Sequence, residues 1–81
     1  MKTRLEVYEQ PYLRIKDIQI LLRRPWSKSK DIYLLADAVD DEELGIYRTE
    51  PRMVRATSVY KVTGINSNLL LKQIKSASPD K

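Results

Sequence analysis

Residues 23–30 read Arg-Arg-Pro-Trp-Ser-Lys-Ser-Lys: four cations, two hydroxyls and an indole, without a single acid. Guanidinium and ammonium groups interleaved with hydroxyls suit charge-assisted hydrogen bonding to phosphate oxygens and to acceptors on base edges. Pro25 and Trp26 interrupt one helical pattern, and Ser27 is placed to N-cap the next, whose apolar stripe begins at Ile32. Cations in a first helical turn oppose the helix dipole. Local stability therefore does not account for Lys28 and Lys30, whereas an anion meeting that helix end does. The plain alternative is a solvated basic turn. Tyr33, one turn on, suits either rim packing or a phosphate contact, and Trp26 is expected to plug the core between two helices.

Two further groups of charge stand out. Arg48, Arg52 and Arg55 punctuate an alternating segment, where they serve either as contacts to a polyanion or as ordinary charge protection of a sheet edge. Asp37, Asp40, Asp41, Glu42 and Glu43 form an acidic cluster near a helix C-terminus, where acids oppose the dipole. Asp40 to Glu43 are either a solvated helix end or a surface for a protein partner, such as the basic patch of a neighbouring copy.

Much chemistry is excluded. Cys and His are absent, which removes disulfides, zinc fingers, thiol nucleophiles and imidazole base catalysis. Gly occurs only at positions 45 and 64, so no glycine-rich phosphate loop exists. No catalytic residue, metal site or cofactor is expected. No apolar run approaches membrane-spanning length and no signal peptide is evident, so a cytoplasmic protein without membrane association is expected. Hydrophobic residues make up 42% of the 81, enough to exclude compositional disorder and to build one small core. The net charge is only +4, so the distribution of charge matters more than its sum.

The elements that position these residues follow from periodicity. Residues 1–11 are read as an N-terminal arm, flexible or a short strand, ending at Pro11. A domain spans 12–75. Ile15, Ile18 and Leu22 mark a helix over about 15–23, which Pro25 stops. Ile32, Leu35, Ala36 and Val39 define one face of a second helix running to about Asp41 or Glu43. Ile46 to Arg48 and Met53 to Arg55 are expected to form a hairpin around a Glu50-Pro51 turn. A third helix begins at Thr57 or Ser58 and ends at Gly64. A fourth, capped by Asn66 or Ser67, carries Leu69, Leu70, Leu71 and Ile74. Three adjacent leucines cannot share one face, which leaves room for a small self-association surface. Residues 76–81 are expected to be a frayed tail.

The order helix, turn, helix, hairpin, helix, helix is mainly α with a small β-hairpin, a winged helix-turn-helix. The segment Leu13 to Ile65 resembles the excisionases and regulators of prophages and integrative elements, relatives of the MerR-type DNA-binding domain. Tyr-Leu-Arg-Ile-Lys-Asp-Ile at 12–18 is similar to their opening, Trp-Ser-Lys-Ser-Lys at 26–30 to their recognition-helix start, and Gly-Ile-Tyr-Arg-Thr-Glu-Pro-Arg-Met-Val at 45–54 to their wing. The resemblance implies that Ser27, Lys28, Ser29, Lys30 and Tyr33 enter a major groove, and that Arg48, Arg52 and Arg55 are wing residues. Arg23 and Arg24 would anchor phosphates.

The expectation is a non-enzymatic, sequence-specific binder of double-stranded DNA, an excisionase-like directionality factor or a transcriptional regulator. It would be monomeric in dilute solution and cooperative on tandem sites, with an integrase or another DNA-bound protein as a partner. The competing reading is an interaction module or inhibitor that uses the acidic cluster without specific DNA binding.

Overall fold

The computed structural model describes residues 2–77. Thr3 starts helix α1 (Arg4–Tyr8): its Oγ1 accepts the N–H of Glu6 at 3.1 Å, and the Glu6 carboxylate accepts the N–H of Thr3 at 2.8 Å. This reciprocal capping box secures two otherwise unpaired donors. Val7 is fully buried, and Arg4 donates to the carbonyl of Leu21 at 2.8 and 3.0 Å. The expected arm or strand at residues 1–11 is thus corrected over 4–8 to a short helix built into the core.

The sheet is also different from expectation. Strand β1 (Tyr12–Leu13) pairs antiparallel with strand β2 (Val54–Arg55), in the register Tyr12 to Arg55 and Leu13 to Val54. The two fully buried residues, Leu13 and Val54, share one rung and carry the pairing into the core. The expected hairpin of 46–48 with 53–55 does not form. Gly45–Tyr47 is a 3-10 turn, and Met53 N–H closes a turn onto the Glu50 carbonyl at 3.2 Å with Pro51 in its second position. The reason is Arg48, whose guanidinium is held by Asp37, Asp41 and the Met53 carbonyl, folding the segment back onto the preceding helix. The described residues are mainly helical with one two-stranded antiparallel sheet.

Helix α2 (Ile15–Leu22) buries Ile18 and Leu21 and ends at Arg23, the one non-glycine residue in the left-handed region among those described, at φ 53°. Helix α3 (Trp26–Leu44) follows after Pro25, which is its N-cap; Ser27 lies inside the helix and caps nothing. Trp26 is 53% exposed and plugs no core. The buried residues of α3 are Ser29, Ala36 and Asp40, while Leu35 of the expected stripe is 57% exposed. The helix is rotated from its hydrophobic pattern because two buried polar residues, Ser29 and Asp40, find hydrogen-bond partners on the inner side.

Helix α4 (Ala56–Thr63) starts one residue before the expected Thr57 and ends at Gly64, whose φ of 71° favours glycine. Asn66 Oδ1 accepts the N–H groups of Asn68 at 2.9 Å and Leu69 at 3.2 Å, capping helix α5 (Ser67–Ala77). Leu70 and Ile74 are buried and Leu69 is exposed, so the three leucines divide as the helical period requires. The core joins Val7, Leu13, Ile18, Leu21, Ala36, Val54, Val59, Leu70 and Ile74. Of the expected frayed tail, Ser76 lies within α5 and residues 78–81 lie outside the described residues. No helix among the described residues is long and apolar enough to cross a membrane.

Candidate nucleic-acid interface

Two helix starts converge with one loop on a single edge of the protein. Arg14 caps α2 from extended backbone, and its N–H donates to the buried Asp17 carboxylate at 3.1 Å. The same carboxylate accepts Gln10 Nε2 at 3.2 Å and lies 3.7 Å from Lys2 Nζ. Asp17 thereby fixes the first turn of α2 from inside, while Arg14 and Lys16 stay exposed. At α3, Ser29 performs a comparable task. It is fully buried, its N–H donates to the Pro25 carbonyl at 3.0 Å, and its Oγ donates to the Arg24 carbonyl at 3.4 Å. The expectation that Ser29 enters a groove is corrected: it ties the α2–α3 turn.

Between these helix starts lies an open cleft of about 420 Å³ lined by Arg14, Ile15, Lys16, Trp26, Tyr33 and Arg52. Lys30 Nζ sits 5.1 Å from the centre of the Trp26 ring, a cation–π contact at the cleft's edge. A second cleft adjoins through the shared Arg14 and Lys16 and continues past Ile20 to Met53. Cations and aromatic faces are thus presented together. Burial and the neighbouring Asp37 raise the pKa of the Tyr33 phenol, so it is a neutral hydroxyl donor at physiological pH.

The residues expected from sequence divide. Lys30, Tyr33 and Arg52 meet in or beside this cleft. Ser27, Arg23 and Arg24 are exposed at the α2–α3 turn. Lys28 is exposed on the other flank of α3, in a shallow groove with Arg24, Pro25, Asp31, Ile32 and Leu35. Arg48 and Arg55 are not free. Arg48, whose side chain is only 8% exposed, pairs with Asp37 at 2.7 Å and Asp41 at 2.6 Å. Arg55 donates its N–H and its Nε to Asp40, each at 2.9 Å, and Nη2 to Glu43 at 2.5 Å.

The acidic cluster is correspondingly occupied within the chain. Asp40 is 1% exposed and also accepts a short hydrogen bond from Ser58 Oγ. Burial raises its pKa, but hydrogen bonds from Ser58 and from the backbone and side chain of Arg55 outweigh burial, and the net displacement is downward. Glu43 bridges Arg55 and Lys61, and hydrogen bonds from these two lower its pKa. Asp40, Asp41 and Glu43 therefore fasten α3 to the Arg48 loop, β2 and α4, a third role beside the solvated end and the partner surface. Glu42 remains exposed.

Sequence reasoning missed Arg14 and Lys16. The signal was present: two cations flank Ile15 at a helix start, where they oppose the dipole as Lys28 and Lys30 do. No protein-family model matches the chain, and no curated protein or solved structure shows significant similarity to it.

Proposed function

We propose that this protein binds double-stranded DNA sequence-specifically, with α2, the turn and α3 as a helix-turn-helix. The observation that carries the reading is the cleft in which Arg14, Lys16 and Arg52 surround Trp26 and Tyr33, with Lys30 beside them. Asp40, Asp41, Glu42 and Glu43 lie toward the other end of α3, which is roughly 28 Å long at 1.5 Å per residue. Phosphate meets cations at one end without meeting those acids.

In this reading Arg14, Lys16 and Arg52 contact the phosphate backbone and set the register. Lys30 and Trp26, on the first two turns of α3, face base edges in the major groove: the ammonium suits guanine acceptors and the indole suits a thymine methyl. On this reading the loop at 45–53 serves in place of a wing, contributing Arg52 only. Resemblance to excisionases and mobile-element regulators supports a directionality factor or a transcriptional regulator as the biological role, acting beside an integrase or polymerase.

The chain has one tryptophan, Trp26, so its intrinsic fluorescence reports on the site directly. Selection from a random duplex pool should enrich a defined motif, and that duplex should quench Trp26 at lower concentration than a scrambled one. Equal enrichment of all sequences, with no change in Trp26 emission, would remove this reading. The competing interaction-module reading is disfavoured because Asp40, Asp41 and Glu43 are engaged within the chain.

A further inference from the structure

The most regular apolar pattern in the sequence is not the buried face of α3. Lys28, Ile32, Leu35, Val39 and Glu42 follow one another at alternating intervals of four and three, the spacing of a helix–helix seam. Ile32 and Val39 are half-buried, whereas Leu35 between them is 57% exposed. Leu35 lies about 180° around the helix axis from Trp26, taking roughly 100° per residue. This flank therefore faces away from the basic–aromatic cleft, and no element among the described residues covers Leu35.

Its two ends carry opposite charge. Lys28 at the N-terminal end and Glu42 at the C-terminal end are both exposed, and neither has an ion-pair partner among the described residues. They are equidistant from Leu35, seven residues to either side. Such a stripe is complementary to itself under a two-fold rotation. We propose that two copies of this chain pair through antiparallel α3 helices, with Leu35 next to its counterpart at the axis and Lys28 of each copy against Glu42 of the other.

A second feature fits the same arrangement. The groove bounded by Pro25, Ile32 and Leu35 is open, about 500 Å³, and lies at the Lys28 end of the stripe. Ile46, 92% exposed, follows directly on the Glu42 end. Antiparallel pairing brings the turn that follows α3, which carries Ile46, toward the groove of the other copy, at both ends of the interface. A parallel pairing would set Lys28 against Lys28 and Glu42 against Glu42. The seam is only two heptads long, below the area of a permanent dimer, so dissociation on the order of 0.1 mM is expected.

The chain lacks cysteine, so a single introduced thiol is diagnostic. Leu35→Cys should cross-link under mild oxidation to twice the 9.5 kDa mass, at least tenfold faster than Leu34→Cys one position away. Leu34 is 52% exposed, so both variants leave the core intact. In sedimentation equilibrium Lys28→Glu and Glu42→Lys should each weaken the dimer at least threefold, and the two together should restore it. A single 9.5 kDa species up to about 1 mM, equal cross-linking at 34 and 35, or no restoration in the double variant each overturns the proposal. The inference does not depend on DNA binding: Leu35→Asp should abolish self-association while DNA, if bound, still quenches Trp26.

Discussion

The carboxylate of Asp40 receives both the backbone N–H and the Nε of Arg55, each at 2.9 Å, from within a fully buried position. The pair joins the C-terminal part of α3 to β2, which in turn is held to β1. It also disposes of two surfaces that charge alone suggests, since an acid and a base that both look available are consumed by one another. The arginines whose side chains remain exposed with no ion pair among the described residues are Arg14, Arg23, Arg24 and Arg52.

Asp40→Ala should therefore behave as a core lesion. It leaves the Arg55 N–H and the Ser58 hydroxyl without an acceptor in a buried setting, and breaking a buried charged pair from one side costs about 3 kcal/mol. Ser58→Ala, which removes a single hydrogen bond, should cost only about 1 kcal/mol. Urea titration followed by far-ultraviolet circular dichroism orders the two. If Asp40→Ala were as stable as the wild type, the Asp40–Arg55 link would contribute nothing to the fold.

Acid should unfold the protein along the same link. Asp40 and Glu43 have lowered pKa values in the folded chain through hydrogen bonds from Ser58, Arg55 and Lys61. A lowered folded pKa means that the unfolded chain takes up protons first. The stabilisation is therefore complete above the ordinary carboxylate range at about 4 and is lost as pH falls through the lower folded values. The urea midpoint should be flat from neutral pH to about 5 and drop below it. In Asp40→Asn the drop should be shallower; an identical acid limb in both proteins would show that other carboxylates govern it.

How far the fold was legible follows from which interactions leave a periodic trace. The helix around Ile18, the glycine stop at Gly64 and the Asn66 cap rest on local rules, and those elements stand within a residue or two of where the sequence places them. The face of α3 did not, because Asp40 and Ser29 are buried polar residues whose hydrogen-bond partners lie 15 to 18 positions away or across a turn. A hydropathy pattern scores them as solvent-facing. The sheet was misplaced for a related reason. The pairing of Leu13 with Val54 is long-range, and local alternation at 46–48 offered a nearer partner that Arg48 disrupts. Of the candidate site, Lys30, Tyr33 and Arg52 were legible. Trp26 was misread as core because aromatic residues beside a helix break usually are.

Arg23 supplies a test in which stability and binding move oppositely. Its φ of 53° is left-handed, where a side chain costs roughly 1–2 kcal/mol and glycine costs nothing sterically. Part of that gain is offset by the greater freedom of glycine in the unfolded chain, so Arg23→Gly should stabilise by about 0.5–1 kcal/mol. If the cation is retained at this strained turn for a phosphate contact, the same variant should bind duplex DNA more weakly at every sequence. A variant both more stable and equally tight would assign Arg23 no part in binding.

Arg48 and Arg52 are four residues apart and should respond in different assays. Arg52 is exposed at the cleft, so Arg52→Ala should leave the urea midpoint unchanged and lower affinity for specific and random duplexes alike. The logarithmic salt dependence of binding should lose about one unit of slope, the signature of one phosphate contact. Arg48 lies between Asp37, Asp41 and the Met53 carbonyl, so Arg48→Ala should instead destabilise the fold and leave the salt slope of the remaining folded protein as it was. Lys30→Ala should differ from both, reducing discrimination between the selected and scrambled duplex by roughly 1–3 kcal/mol. Anisotropy titrations at several salt concentrations separate the three. A full unit of slope lost with Arg48→Ala, and none with Arg52→Ala, would mean that the loop turns its other side to the DNA.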